Sequence, residues 1–196
     1  MKGGIALIVH NDQSLHLPAS VLTIGALDGV HIGHQTLINR AKKRAEELKV
    51  PLVVYTFDPP PKVYFLNNRF LTTLPEKLKR LSILGADHVV VASFDSGYLN
   101  REASSFLAEL SLLNPIEIWI GPDFHFGKNK QGNVYTLSEC FTVHVLEPVR
   151  CRLGDIVSSS RIRQLLEEKR FLEAELLLGW QTLAGKQERV TFSFNR

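Results

Sequence analysis

Val21-Leu-Thr-Ile-Gly25-Ala-Leu-Asp28-Gly-Val-His31-Ile-Gly33-His34-Gln35 joins an apolar strand to a helix through three glycines and two histidines. Val21–Ile24 is short, apolar and rich in β-branched residues, the pattern of a strand buried on both faces. From Thr36 to Leu48 the apolar residues Leu37, Ile38, Ala41, Ala45 and Leu48 recur at helical spacing. A helix starting near His34 aims unpaired backbone N–H groups, and the positive end of its dipole, at the preceding turn. Gly25, Gly29 and Gly33 permit a tight turn there and put no Cβ in the way of a phosphate. Strand, turn and helix together predict a polyphosphate site on an α/β scaffold.

Working outward, further strand-like runs occur at Ile5–Val9, Leu52–Phe57, His88–Ala92, Ile116–Ile120 and Phe141–Leu146. Between and after them, helices are expected at about 34–49, 75–85, 101–112, 159–168 and 171–178. Pro75 suits a first helical turn, and Asn100 is expected to cap the helix that begins at Arg101. The alternation predicts an α/β fold, a Rossmann-like parallel sheet covered by helices on both faces. Ligands of such sheets lie beyond the carboxyl ends of the strands. Four segments sit there: Gly25–His34, Phe57–Pro61, Gly121–Gly132 and Ser158–Arg163.

Composition narrows the partners. The 196 residues, 44% hydrophobic and 22% charged, suffice for one substantial core, and a formal charge of +3 is too mild for a nucleic-acid surface. An anionic small molecule is enough to account for it. Cys140 and Cys151 have no second pair with which to build a metal site or a disulfide framework. Ile5–Val9 is shorter than a signal-peptide core or a membrane span, so no membrane partner is expected and the chain reads as cytoplasmic.

His31 and His34, three apart at a helix start, can face one volume above the turn. They could be two zinc ligands, although no HExxH motif or cysteine pair offers a third, or they could be structural. Donation of hydrogen bonds to a phosphate whose charge grows in the transition state accounts for them better. One serine of Ser158–Ser160 is the expected cap of the following helix, and that role alone explains its presence. Arg163, a cation in the first turn, lies against the positive dipole end and requires a negative partner. With the serines it forms a second anion site, and two such sites on one sheet edge suggest a nucleoside triphosphate. In Gly121–Gly132, Asp123 is an ordinary turn residue or a nucleotide ligand, and Phe124 and Phe126 either anchor the loop or belong to a flap over the nucleotide. Phe57-Asp-Pro-Pro-Pro61 is an extended path that could wall a planar ring, or simply a loop.

Taken in this order, the segments resemble the adenylyltransferase module of prokaryotic FAD synthetases, the bifunctional riboflavin kinase/FMN adenylyltransferases of the HxGH nucleotidyltransferase superfamily. The resemblance runs from about Val21 to Gly179. Gly25–Gln35 is similar to the family's G-x-F-D-G-V-H-x-G-H-Q signature, Thr56–Pro61 to T-F-x-P-H-P, and Leu71–Lys77 to L-T-T-x-x-E-K. Gly121–Gly132 resembles G-x-D-F-x-F-G-x-x-x-x-G, and Ser158–Arg163 resembles S-S-T-x-I-R. Four positions depart from the pattern: Leu27 for Phe, Pro60 for His, His125 for Arg and Ser160 for Thr.

The resemblance implies transfer of the AMP moiety of ATP to FMN, giving FAD and pyrophosphate, with Mg²⁺ accompanying ATP. It implies His31, His34 and Arg163 as catalytic residues, and Gly25, Asp28, Gly33, Asp123, Ser159 and Ser160 on ATP. Phe57, Asp58 and Phe126 are expected toward FMN, and no protein side chain is assigned to a metal. Residues 1–180 are expected to form this domain. Residues 181–196 are a tail where the family's riboflavin kinase domain would begin, with that domain absent and a separate riboflavin kinase supplying FMN. The rival readings are an adenylyltransferase for another phosphate monoester and a non-catalytic nucleotide-binding module.

Overall fold

A computed structural model describes residues 7–66, 69–180 and 193–194. The strands are β1 (Ile8–Asn11), β2 (Ser20–Ile24), β3 (Leu52–Asp58), β4 (His88–Ser93), β5 (Pro115–Ile120), β6 (Val143–Val145) and β7 (Ser193–Phe194). They form one sheet in the order β6-β5-β2-β3-β4-β1-β7, and every pairing is parallel. The helices are α1 (Ile32–Leu48), α2 (Pro61–Leu66), α3 (Leu74–Ile83), α4 (Ser96–Leu99), α5 (Ala103–Leu112), α6 (Val134–Ser138), α7 (Ser159–Glu167) and α8 (Phe171–Leu178).

The central strand β2 is buried along its whole length. On one face of the sheet, Val21, Val54 and Val89 pack against Ile38, Ala41 and Ala45 of α1 and Leu78 and Leu81 of α3. On the other, Leu22, Val53, Tyr55 and Val90 pack against Phe106 and Leu110 of α5 and Leu137 of α6. The expected doubly covered Rossmann-like sheet is therefore the observed one. From β2 the chain proceeds to β3 and β4 on one side and returns to β5 and β6 on the other. The crevice at the carboxyl ends of β2 and β5 is thus the topological switch point, where ligands of open α/β sheets bind.

Several local expectations change. The first strand is displaced to Ile8–Asn11, and the early part of the predicted run, residues 5 and 6, lies outside the described residues. Helix α1 starts two residues before His34, because the His31 side chain accepts from the backbone N–H of His34 and so caps it. Asn100 does not cap α5. It closes α4 by donating Nδ2 to the Ser96 carbonyl, and Glu102 stands at the start of α5 without a capping side-chain bond. Phe57–Pro61 is not extended throughout, since Pro61 opens α2 and the Pro60 carbonyl accepts from Val63 and Tyr64. Pro75 does lie in the first turn of α3, behind a Thr73/Glu76 capping box. Of the tail, residues 193–194 pair with β1, so part of it returns to the sheet.

Candidate active site

The turn after β2 carries left-handed backbone at Leu27 (φ 51°), Gly29 (φ 82°) and Val30 (φ 39°). For the two non-glycine residues this costs on the order of 1–2 kcal/mol each. Donors from distant parts of the chain hold the turn in place. Lys77 Nζ and Thr56 Oγ1 both donate to the Ala26 carbonyl at 3.1 Å, and Ser159 Oγ donates to that of Asp28 at 2.9 Å. Arg80 donates to the Gly29 carbonyl at 2.8 Å, while Gln35 Nε2 and Trp180 Nε1 donate to that of Val30 at 2.9 and 2.8 Å. The guanidinium of Arg80 also lies over the Trp180 ring.

Asp28 and Arg163 are placed together, behind the turn and away from the cavity lining. The Asp28 carboxylate accepts from Leu71 N, Thr72 N and the guanidinium of Arg163, whose Nε donates to the Arg69 carbonyl. Both side chains are buried, at 3% and 9% exposure, so both are committed to each other. The sequence reading requires an anion near Arg163. That anion is Asp28, and neither group is left facing a phosphate.

The two histidine rings stack with centroids 3.6 Å apart. Burial drives the His31 pKa down to about 4, a bond to its own backbone opposing only part of the shift. His34 is held well below the ordinary imidazole value by burial, then by repulsion from His31 and Lys77. Both are neutral at pH 7. Because His31 Nδ1 accepts from His34 N, the His31 proton belongs on Nε2, which is then a donor. His34 Nδ1 is buried without a partner. Gly33 is small for a specific reason: a Cβ there would lie 3.2 Å from the His31 ring.

These groups border a cavity of about 500 Å³ at the switch point. Gly25, His31, Gly33, His34, Phe57, Asp123 and Ser159 all line it. Ser158 caps α7, as one serine of the three is expected to, and the amino end of α7 borders the cavity beside that of α1, where a Cβ on Gly33 would lie 3.7 Å from the Val157 carbonyl. Ser160 lies just outside the lining, where its Oγ accepts from Lys62 Nζ at 3.3 Å. Asp58 is absent from the lining. Phe126 turns inward, packing on Phe106 and pairing its backbone with Gly132, so it anchors the loop and does not face a ligand. Phe124 is the phenylalanine of that loop that reaches the cavity, and His125 lines it too.

Lys62 is absent from the sequence expectations, and Lys77 enters them only as the last residue of the L-T-T-x-x-E-K segment, with no role. Lys62 has no local signature. Lys77 has one: it is a cation near the amino end of α3, the argument already applied to Arg163. Among the described residues, no group of three His, Cys, Asp or Glu could hold a metal, so the zinc reading of the histidines gains no third ligand.

A doubly wound α/β domain with two helix amino ends and a neutral histidine pair converging on one switch-point cavity defines a nucleotidyltransferase-like protein. A profile described as FAD synthetase matches residues 13–161, and the chain belongs to the FAD synthetase family. It is 47% identical over 169 residues to a Geobacillus thermodenitrificans protein with the provisional name bifunctional riboflavin kinase/FMN adenylyltransferase, covering 86% of this chain and 94% of that one. A Haemophilus influenzae bifunctional riboflavin kinase/FMN adenylyltransferase is 35% identical over 182 residues, or 87% of this chain and 58% of that protein. A Listeria monocytogenes FAD synthetase is 34% identical, with 82% and 69% covered. Among solved structures, one named as a macrolide-efflux protein from Streptococcus pneumoniae superposes with a TM-score of 0.77 at 30% identity, covering 89% of this chain and 62% of that one. In this chain no described helix is long and apolar enough to cross a membrane. A Francisella tularensis pantoate-beta-alanine ligase, 15% identical with a TM-score of 0.55, shares the fold.

Proposed function

We propose that this chain carries out its family's FAD synthesis as a direct transfer of AMP from ATP to FMN. An oxygen of the FMN phosphate attacks the α-phosphorus in line. The new P–O bond forms as the bond to the bridging oxygen breaks, and pyrophosphate leaves with that electron pair. The second pKa of a phosphate monoester lies near ~6, so the nucleophile is ionised at neutral pH and needs no general base. His31 donates from Nε2 toward the charge growing on the α-phosphoryl oxygens, and His34, in the same stack, supplies the second ring of the site. Their low pKa values suit hydrogen-bond donation by neutral rings and do not suit proton storage.

The ATP phosphates lie in the cavity at the adjoining amino ends of α1 and α7, with Gly25, Gly33, Asp123 and Ser159 around the nucleotide. Ser160 reaches it through Lys62. Arg163 and Asp28 act from behind as a positioning pair, and Phe57 with Phe124 walls the acceptor. The cavity's carboxylates, Asp123 and Glu147, belong to exposed residues and form no cage, which fits Mg²⁺ carried in on the triphosphate and its water. So bound, the ion neutralises charge on the leaving pyrophosphate. The domain that does this is residues 1–180, working in the cytoplasm on FMN, the product of a riboflavin kinase activity.

The observation that carries the reading is the stacked histidine pair at the α1 amino end, which lines one cavity together with the adjoining amino end of α7. Incubation with Mg·ATP and FMN, followed by chromatography, is expected to show FAD and an equal amount of pyrophosphate. Turnover of another phosphate monoester, with none of FMN, would change the acceptor. ATP binding with no turnover would make the chain a nucleotide-binding module.

A further inference from the structure

Lys77 is the most deeply buried lysine among the described residues, at 1% exposure, and no carboxylate lies within ion-pair distance of it. Its three N–H bonds go to neutral oxygens: the carbonyls of Ala26 (3.1 Å) and Phe57 (2.9 Å) and the hydroxyl of Thr56 (3.4 Å). Ala26 lies two residues past β2 and Phe57 is the penultimate residue of β3, and both line the cavity. The ammonium thus pins two adjacent strand ends from behind the cavity wall. An ammonium buried among neutral dipoles is costly, because the water it has lost is replaced by no opposite charge. The nearest carboxylates that act on it are Asp58 and Asp28, and Asp28 is already spent on Arg163.

We infer that Lys77 is a positioning residue for the phosphates of ATP: it holds the β2 and β3 ends in register under His34 and supplies a buried positive charge that Asp58 and Asp28 offset in part and a seated polyphosphate offsets further. The inference rests on the nucleotide-site reading above. The groups facing Lys77 are His34 from α1, Asp28 from the turn and Asp58 from β3, with Arg80 one turn further along α3. Burial lowers the Lys77 pKa to about 8, and the two aspartates oppose that shift. The free enzyme therefore loses this charge in mildly alkaline solution. A lysine acting only as a strut would, on losing its proton, keep two of its three N–H bonds, and ATP binding would lose no attracting charge with it.

The test is the pH dependence of ATP binding, measured by calorimetry between pH 7 and 9.5 on the full chain, with Lys77→Arg and Lys77→Met alongside. Wild-type affinity is expected to fall through pH 8 to 9, whereas Lys77→Arg, whose charge persists, stays flat. Lys77→Met is expected to bind roughly 10-fold or more weakly at pH 7, a loss of the size expected for a partly screened charge behind the cavity wall. A second readout is independent of binding: the NMR titration midpoint of His34 should rise in Lys77→Met, since a repelling neighbour is gone. An alkaline fall that survives in Lys77→Arg, or an unmoved His34 midpoint in a folded Lys77→Met, would overturn the inference. Binding assays do not depend on the acceptor, so a protein that binds ATP in this pattern and makes no FAD refutes the adenylyltransferase reading while leaving the Lys77 role standing.

Discussion

Replacing Arg163 with methionine separates two descriptions of that residue. As a phosphate ligand it could be lost with the fold intact; as the partner of Asp28 it could not. The structure favours the second, because the pair is buried at 9% and 3% exposure and the guanidinium also holds the Arg69 carbonyl. Removing one member leaves a carboxylate with only the Leu71 and Thr72 N–H groups, at 3.1 and 3.3 Å. Breaking a buried ion pair in this way costs about 3–5 kcal/mol, a large part of the ~5–15 kcal/mol that holds a domain together. The melting temperature should drop by roughly 10 °C. Urea unfolding of Arg163→Met, Asp28→Asn and the double variant measures this directly, and the double variant should lose clearly less than the two single losses combined. The reasoning fails if Arg163→Met unfolds at the wild-type urea concentration while FAD formation collapses. Arg163 would then be a phosphate ligand after all.

Three further outcomes follow from the same geometry. His31, with its pKa at about 4 in the fold against an ordinary 6.5, contributes stability that is complete above pH 6.5 and disappears as the pH falls toward 4. By pH 5 the loss is about 2 kcal/mol, so His31→Gln should lose that much less than wild type between pH 7 and 5 in urea titrations; equal losses would show that His31 titrates normally. At pH 7, His31→Ala should lower kcat for FAD formation by about 10²-fold or more, as removal of an oxyanion-type donor does, and near-wild-type turnover would remove His31 from the chemistry. Gly29→Ala forces a left-handed alanine whose Cβ lies 3.1 Å from Leu71 and 3.2 Å from Leu178, whereas Gly154→Ala shares the positive φ but meets open space. Thermal melts should therefore show a distinctly larger drop for Gly29→Ala, and equal drops would deny the turn its packing role.

The fold was legible because its signals are local. A continuous apolar run of strand length, glycines and then a 3.6-residue period need no knowledge of distant residues, so β2, its turn and α1 could be read within two residues. The short helices α2, α4 and α6, of four to six residues, complete too little of a period to register. Asn100 was misplaced because it stands between two helices and suits the end of one as well as the start of the next. Within the site, the histidine pair and the two helix amino ends were visible for the same local reason. The partner of Arg163 was not, since Asp28 lies 135 residues away and only the folded chain brings them together. Phe124 and Phe126 look equivalent in sequence, and the 2.4 Å that a Cβ at Gly132 would leave from Phe126 shows why only one of them faces inward.

The donors that hold the turn after β2 have a consequence for how this protein is made. The turn itself is complete once about thirty residues exist, but Ser159 reaches it across 131 residues, Arg163 across 135 and Trp180 across 150. A nascent chain emerging from the ribosome at roughly 5–20 residues per second therefore carries the histidine motif for many seconds before anything can lock it. Such long-range closure is slow to form and cooperative once formed. The site should become competent for ATP only when Trp180 has been released from the exit tunnel, and stalled shorter chains should bind none.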